Sequence, residues 1–104
     1  MKLFSRYIAV MAMLLFSATT FAASIKGVIK DTNGEPLMEA TVRLLSARDS
    51  SFVKGTAADA NGRFTLGNVN KGRYIIQSTY IGYTPSYQNI SVGENDVRLK
   101  PIVM

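Results

Sequence analysis

From residue 23 onward, apolar and polar positions alternate in short stretches, separated by clusters of Gly, Asn, Asp and Pro. Alternation at period two marks strands with one buried face, and the clusters mark turns. The pattern predicts seven strands: Ser24–Lys30, Ala40–Ser46, Phe52–Ala58, Arg63–Val69, Arg73–Ile81, Tyr87–Val92 and Val97–Met104. Between the first two, Thr32-Asn33-Gly34-Glu35-Pro36 ends pairing, because Asn-Gly tolerates positive φ and Pro36 has no donor N–H. Asp59-Ala60-Asn61-Gly62, Asn70-Lys71-Gly72 and Gly93-Glu94-Asn95-Asp96 read as further turns, and Gly82-Tyr83-Thr84-Pro85 as an interruption. Many short strands with regularly spaced turns indicate an all-β sandwich or barrel.

Period two also assigns faces. Ala40, Val42 and Leu44 share one side of the second strand, with Thr41 and Arg43 opposite. Leu37, Ala40, Thr41, Leu44 and Leu45 fit a helical period as well. The neighbouring strands favour the sheet, since a helix here would leave a sheet edge open. Phe64 and Leu66 point one way in the fourth strand. In the fifth, Tyr74, Ile76, Ser78 and Tyr80 lie opposite Ile75, Gln77, Thr79 and Ile81. In the last, Val97 and Leu99 alternate with Arg98 and Lys100. The expected core contains Phe64, Leu66, Tyr74, Ile76 and Leu99. Gly62 and Gly72 precede strands and are expected to hold conformations that a β-carbon disfavours.

Residues 1–22 have a different character. Lys2 and Arg6 precede the uncharged stretch Tyr7–Phe16, and Thr20-Phe21-Ala22 sets small residues at −3 and −1 of a cut after Ala22. This is the layout of a secretory signal peptide, and the apolar stretch is short for a spanning helix. The division is thus residues 1–22 as export signal and 23–104 as one domain, with the periplasm or outer membrane as destination. Loss of Lys2 and Arg6 lowers a formal charge of +5 by two.

Composition narrows the chemistry. The chain has no Cys, no His and no Trp. Ordinary zinc sites, disulfides and histidine-activated nucleophiles are therefore excluded. The bases are scattered along the strands without a run, which argues against a nucleic-acid partner. Asp59 and Asn61 would need more oxygen ligands and a distal Glu to hold calcium, so they read as turn chemistry. No acids are spaced as an acid–base pair in a cleft. No cofactor and no catalytic residue is expected. Tyr83 and Tyr87 flank the Gly-Pro interruption, where an exposed tyrosine could meet a sugar or a protein.

Several segments in order resemble the carboxypeptidase regulatory-like domain family. They are Gly27-Val28-Ile29-Lys30-Asp31, Gly34-Glu35-Pro36-Leu37, Ala40-Thr41-Val42-Arg43-Leu44, Asn61-Gly62-Arg63-Phe64, Gly72-Arg73-Tyr74-Ile75-Ile76 and Ile81-Gly82-Tyr83, with Thr56 and Asp59 between. The resemblance implies a seven-stranded Greek-key β-sandwich like that of transthyretin. Two positions depart from the family's pattern. Glu39 stands where Gly is usual, implying that this position avoids positive φ, and Ala58 stands where Thr is usual. The resemblance also implies a non-catalytic module of the kind found at the N-terminus of TonB-dependent outer-membrane receptors. Its partner would be an outer-membrane barrel in cis or an envelope protein in trans. A stand-alone carbohydrate- or protein-binding module is the alternative. The expected last strand runs to Met104 with no barrel segment visible, so a fragment of a receptor and a complete small protein both stay open. An edge strand can accept a partner's strand, which makes Val97 and Val103 in that segment candidate contacts beside Tyr83 and Tyr87.

Overall fold

The computed structural model describes residues 22–104. The proposed export signal lies outside the described residues apart from Ala22. Eight strands follow in order: β1 Ala23–Lys30, β2 Thr41–Ser46, β3 Phe52–Ala57, β4 Arg63–Val69, β5 Gly72–Thr79, β6 Ser86–Val92, β7 Val97–Arg98 and β8 Ile102–Val103. No helix occurs among the described residues, and the helical reading of residues 37–45 gives way to β2.

Two sheets form. The first runs β4-β1-β7, with β8 also paired to β1, and the second runs β3-β2-β5-β6. β7 and β8 pair with β1 in parallel, whereas β1 with β4 and all pairs of the second sheet are antiparallel. The expected seventh strand is thus broken in two. Pro101 separates the pieces, since it has no N–H to give the ladder. Pairing persists around it: the Leu99 N–H donates to the Lys26 carbonyl and the Met104 N–H to the Lys30 carbonyl, both at 2.9 Å.

The core lies between the sheets. Ile25, Ile29, Phe64, Leu66 and Ile102 bury from the first sheet, and Val42, Leu44 and Ile76 from the second. The alternation read in β2 holds, with Thr41 and Arg43 exposed opposite Val42 and Leu44. Phe64, Leu66 and Ile76 are buried as expected, while Tyr74 and Leu99 are only partly buried against the cluster. Tyr74 keeps its hydroxyl wet, donating to the Asn70 carbonyl at 2.7 Å. At the side of the sandwich, where the edge strands β3 and β4 come together, the Lys54 ammonium donates to the Gly67 carbonyl and ties the two sheets together.

Backbone conformation corrects two expectations. Gly62 has φ 73°, as read, but Gly72 is not among the positive-φ residues and opens β5 in extended form. A β-carbon at Gly72 would meet only the Tyr74 ring at ordinary contact distance, 3.5 Å. Glu39 does not avoid positive φ: it sits at 66°. Its N–H donates to the Ala58 carbonyl at 2.9 Å, and the neighbouring Ala40 carbonyl accepts from the Ala58 N–H. Those bonds, with Ala40 fully buried, hold the entry to β2 in a conformation the side chain does not favour.

Candidate functional site

The four residues singled out from sequence do not form one surface. Val97 and Val103 lie on β7 and β8 at the edge of the first sheet. Val97 packs partly buried against the core, and Val103 is exposed. Tyr87 lies on β6, the edge strand of the second sheet. Tyr83 belongs to the β5–β6 loop, where its ring meets Tyr80 edge-on at 5.6 Å between centroids. Ile81 beside it, expected at the end of a strand, falls in the loop and is 95% exposed.

Tyr87 is part of a larger arrangement. In the second sheet Arg43 is registered with Gly55 on β3 and Gln77 on β5, and Gln77 with Tyr87 on β6. These residues share the face turned away from the core, because Val42, Leu44, Ile76 and Ser78 take the inner positions. Arg43 Nη1 donates to Gln77 Oε1 at 2.9 Å, and Gln77 Nε2 donates to the Tyr87 hydroxyl at 3.0 Å. On the other side, the Arg43 guanidinium stands over the Phe52 ring, 5.2 Å from its centroid. The absent side chain of Gly55 makes room for that ring, since a β-carbon there would lie 3.3 Å from Phe52 Cε2. The result is a row across four strands with an aromatic ring at each end and a hydrogen-bonded guanidinium and amide between. Phe52 and Tyr87 are 57% and 62% exposed, although neighbours fix both.

Sequence alone assigned Gln77 and Arg43 to outward positions but could not align them. Period two fixes the face within a strand, whereas the register between strands depends on which strands pair. Phe52, at the start of its strand beside a register shift opposite Leu44 and Leu45, carried no periodic signal.

The charge distribution is uneven. All seven Asp and Glu residues lie in loops and turns, and none lies in a strand. Arg43 and Arg73 therefore stand on the outer face of the second sheet without an acid on its strands. In the β2–β3 loop, the Ser51 hydroxyl and backbone N–H bonded to Asp49 hold its carboxyl below the ordinary aspartate range. Among the described residues no group of three or more acids could hold a metal ion. Nor is any helix among them long and apolar enough to cross a membrane.

Two facing sheets with this strand order, a core between them and solvent-facing outer surfaces define a transthyretin-like β-sandwich. Solved structures share that fold. A proposed carbohydrate-binding protein from Pseudomonas aeruginosa superimposes with a TM-score of 0.61 at 17% identity, covering 86% of this chain and 94% of its own. The 5-hydroxyisourate hydrolase of Klebsiella pneumoniae gives 0.59 at 17% identity, covering 81% and 88%. A streptococcal ancillary pilin gives 0.64 at 19% identity, covering 83% of this chain and 33% of its own. No curated protein matches in sequence. The chain belongs to the carboxypeptidase regulatory-like domain family, which matches residues 24–103.

Proposed function

We propose that the protein is an exported, non-catalytic binding module, the accessory docking domain of an outer-membrane protein of the TonB-dependent receptor type, acting on the barrel in cis or on an envelope protein in trans. The observation that carries this reading is the family match, which occupies residues 24–103 and begins directly after the stretch read as an export signal. Residue chemistry agrees. Some proteins of this fold are enzymes, the hydroxyisourate hydrolase among them. This chain has no His or Cys, and its acids all lie in surface loops and turns, where even those that share a turn, Asp31 with Glu35 and Glu94 with Asp96, do not face each other across a cleft as a general acid and base would. Docking would use the β7–β8 edge, which is paired with β1 on one side only.

The test is photo-crosslinking in cells that export the protein, with a photoreactive residue at Val103. The expected results are a mature N-terminus at Ala23, recovery from the envelope, and an adduct with an outer-membrane barrel. Placing the photoreactive group at Lys54, directed between the sheets, should give no such adduct. Retention of an uncut chain in the cytoplasm, or a purified protein with hydrolase activity lost on one substitution, overturns the proposal.

A further inference from the structure

We infer that the outer face of the second sheet is a glycan-binding platform whose ligand is an acidic polysaccharide, a chain bearing uronate carboxylates. This deepens the reading of the domain as a binding module by naming a site and a ligand class, and it uses a face separate from the β7–β8 edge.

The first argument is shape. Phe52 and Tyr87 stand at opposite ends of a row spanning three inter-strand steps, roughly 14 Å at ordinary strand spacing. A sheet face of this kind is open and broad, so it suits an extended chain lying across the strands. The C–H face of a pyranose stacks on an exposed aromatic ring as other flat apolar groups do. Both rings are exposed and held, so little side-chain freedom is lost on binding.

The second argument is polarity. The centre of the face is Arg43 and Gln77, already hydrogen-bonded to each other. The core of a protein–protein interface is its most apolar and least charged part, whereas the middle of this row is a guanidinium and an amide, with Leu45 and Ile75 as the apolar pair beside them. A sugar chain needs the reverse: donors and acceptors between the stacking rings. The Tyr87 hydroxyl accepts from Gln77 and keeps its own proton to donate. Arg43 uses Nη1 on Gln77, which leaves its other N–H groups for a ligand.

The third argument is charge. Arg43 and Arg73 lie on this face and no acid stands on any strand of the sheet; the loop acid Asp49 lines the hollow at the Arg73 end, away from the row that holds Arg43. A guanidinium presents a planar fork that matches a carboxylate, and charge-assisted hydrogen bonds are the stronger ones. A neutral glycan would leave the Arg43 charge unanswered, whereas a uronate answers it and leaves the ring faces for stacking.

Affinity electrophoresis and calorimetry of the purified chain with polygalacturonate, set against neutral dextran, provide the test. Retardation by polygalacturonate and not by dextran is expected. Arg43→Gln should weaken binding about tenfold, the scale of one lost charge-assisted hydrogen bond. Gln77→Glu should weaken it further by setting a carboxylate at the centre of the row. Phe52→Ala and Tyr87→Ala should each weaken it severalfold. Arg98→Gln, an equal change of charge at an exposed position on the other sheet, should leave it unchanged. All these positions are solvent-facing, and unchanged melting curves will show that the variants fold. An Arg98→Gln loss equal to that of Arg43→Gln reduces the attraction to net charge and overturns the site. Equal binding of dextran overturns the acidic ligand class. No glycan binding by the folded chain, with the Val103 crosslink intact, overturns the platform and leaves the docking reading standing. A Val103 crosslink that Arg43→Gln and Tyr87→Ala abolish, without glycan binding, would make this face part of a protein interface and overturn the inference as well.

Discussion

Two five-residue turns, Asp31-Thr32-Asn33-Gly34-Glu35 and Asp59-Ala60-Asn61-Gly62-Arg63, fold in the same way and sit in different surroundings. In each, the aspartate Oδ1 accepts from the N–H groups two and four residues on, at 2.8 and 2.9 Å in the first and 2.9 Å twice in the second. In each, the aspartate carbonyl accepts from the glycine N–H, and the aspartate N–H donates to the carbonyl four residues on. The glycines share a left-handed conformation, φ 83° and 73°. Beyond that the two diverge. No atom lies within 4 Å of where a β-carbon on Gly34 would stand. At Gly62 that carbon would be driven into the Ile29 carbonyl oxygen and would stand 3.1 Å from Pro36 Cβ. The Gly62 carbonyl also accepts from the Ile29 N–H at 2.7 Å, joining the second turn to β1. Local sequence sets the conformation of both turns, while position in the fold sets what each residue in them contributes.

The largest effect expected separates the two glycines. Gly34→Ala carries only the left-handed penalty, less what a stiffer unfolded chain returns, so about 1 kcal/mol. Gly62→Ala carries the same penalty and a backbone clash that only a shift of β1 can relieve, together about 2–5 kcal/mol. Thermal melts should place Gly62→Ala well below Gly34→Ala, since 1 kcal/mol is about 4–8 °C in a domain of this size. Equal losses would mean that β1 yields freely at Ile29, and the contrast between the turns would vanish.

A smaller effect separates the aspartates. Asp59→Ala frees two backbone N–H groups in a turn that follows buried Ala58 and is bonded to β1, and should cost about 1–2 kcal/mol. Asp31→Ala frees the same two groups where water can replace the carboxylate, and should cost about 0.5–1 kcal/mol. Hydrogen exchange provides the residue-level check: the Asn61 and Arg63 amides should lose more protection in Asp59→Ala than Asn33 and Glu35 lose in Asp31→Ala. The Asn variants keep an acceptor oxygen and should fall between alanine and wild type at both sites. An Asp31→Ala loss as large as that of Asp59→Ala would show that the turns act alone.

These contrasts follow the boundary between what sequence shows and what it conceals. Both turns were legible because Asn-Gly announces a left-handed position and an aspartate two residues earlier supplies the acceptor. The strands were legible because Val42 and Leu44, or Phe64 and Leu66, alternate with polar residues. The clash at Gly62 was not, because its partner Ile29 is far away in sequence and arrives only through the β1–β4 pairing. The row on the outer face was concealed for the same reason. Arg43, Gln77 and Tyr87 come from three strands, and a one-residue slip in either pairing would separate them. The break in the last strand was written in plain view as Pro101, yet the alternation of Val97-Arg98-Leu99-Lys100 before it and the apolar Ile102-Val103-Met104 after it masked the interruption.

Glu39 gives the smallest expected effect, with the sign reversed. Like Gly34 and Gly62 it holds positive φ, here 66°, but without the glycine that would make this easy. It lies on the connection that leaves the first turn, and its N–H bonds to Ala58 just before the second, so the two turns together fix its backbone. A residue with a β-carbon in this conformation costs about 1–2 kcal/mol, and glycine removes that cost while adding about 0.4–1 kcal/mol of unfolded-chain entropy. Glu39→Gly should therefore stabilise the domain by about 0.5–1 kcal/mol and raise its melting temperature by a few degrees. Glu39→Ala provides the control: alanine keeps the β-carbon, so it should melt at or below wild type. A gain in both variants would trace the effect to removal of the glutamate charge. A loss in Glu39→Gly would mean that the two turns do not hold this position under strain, and that the glutamate side chain contributes more here than its backbone costs.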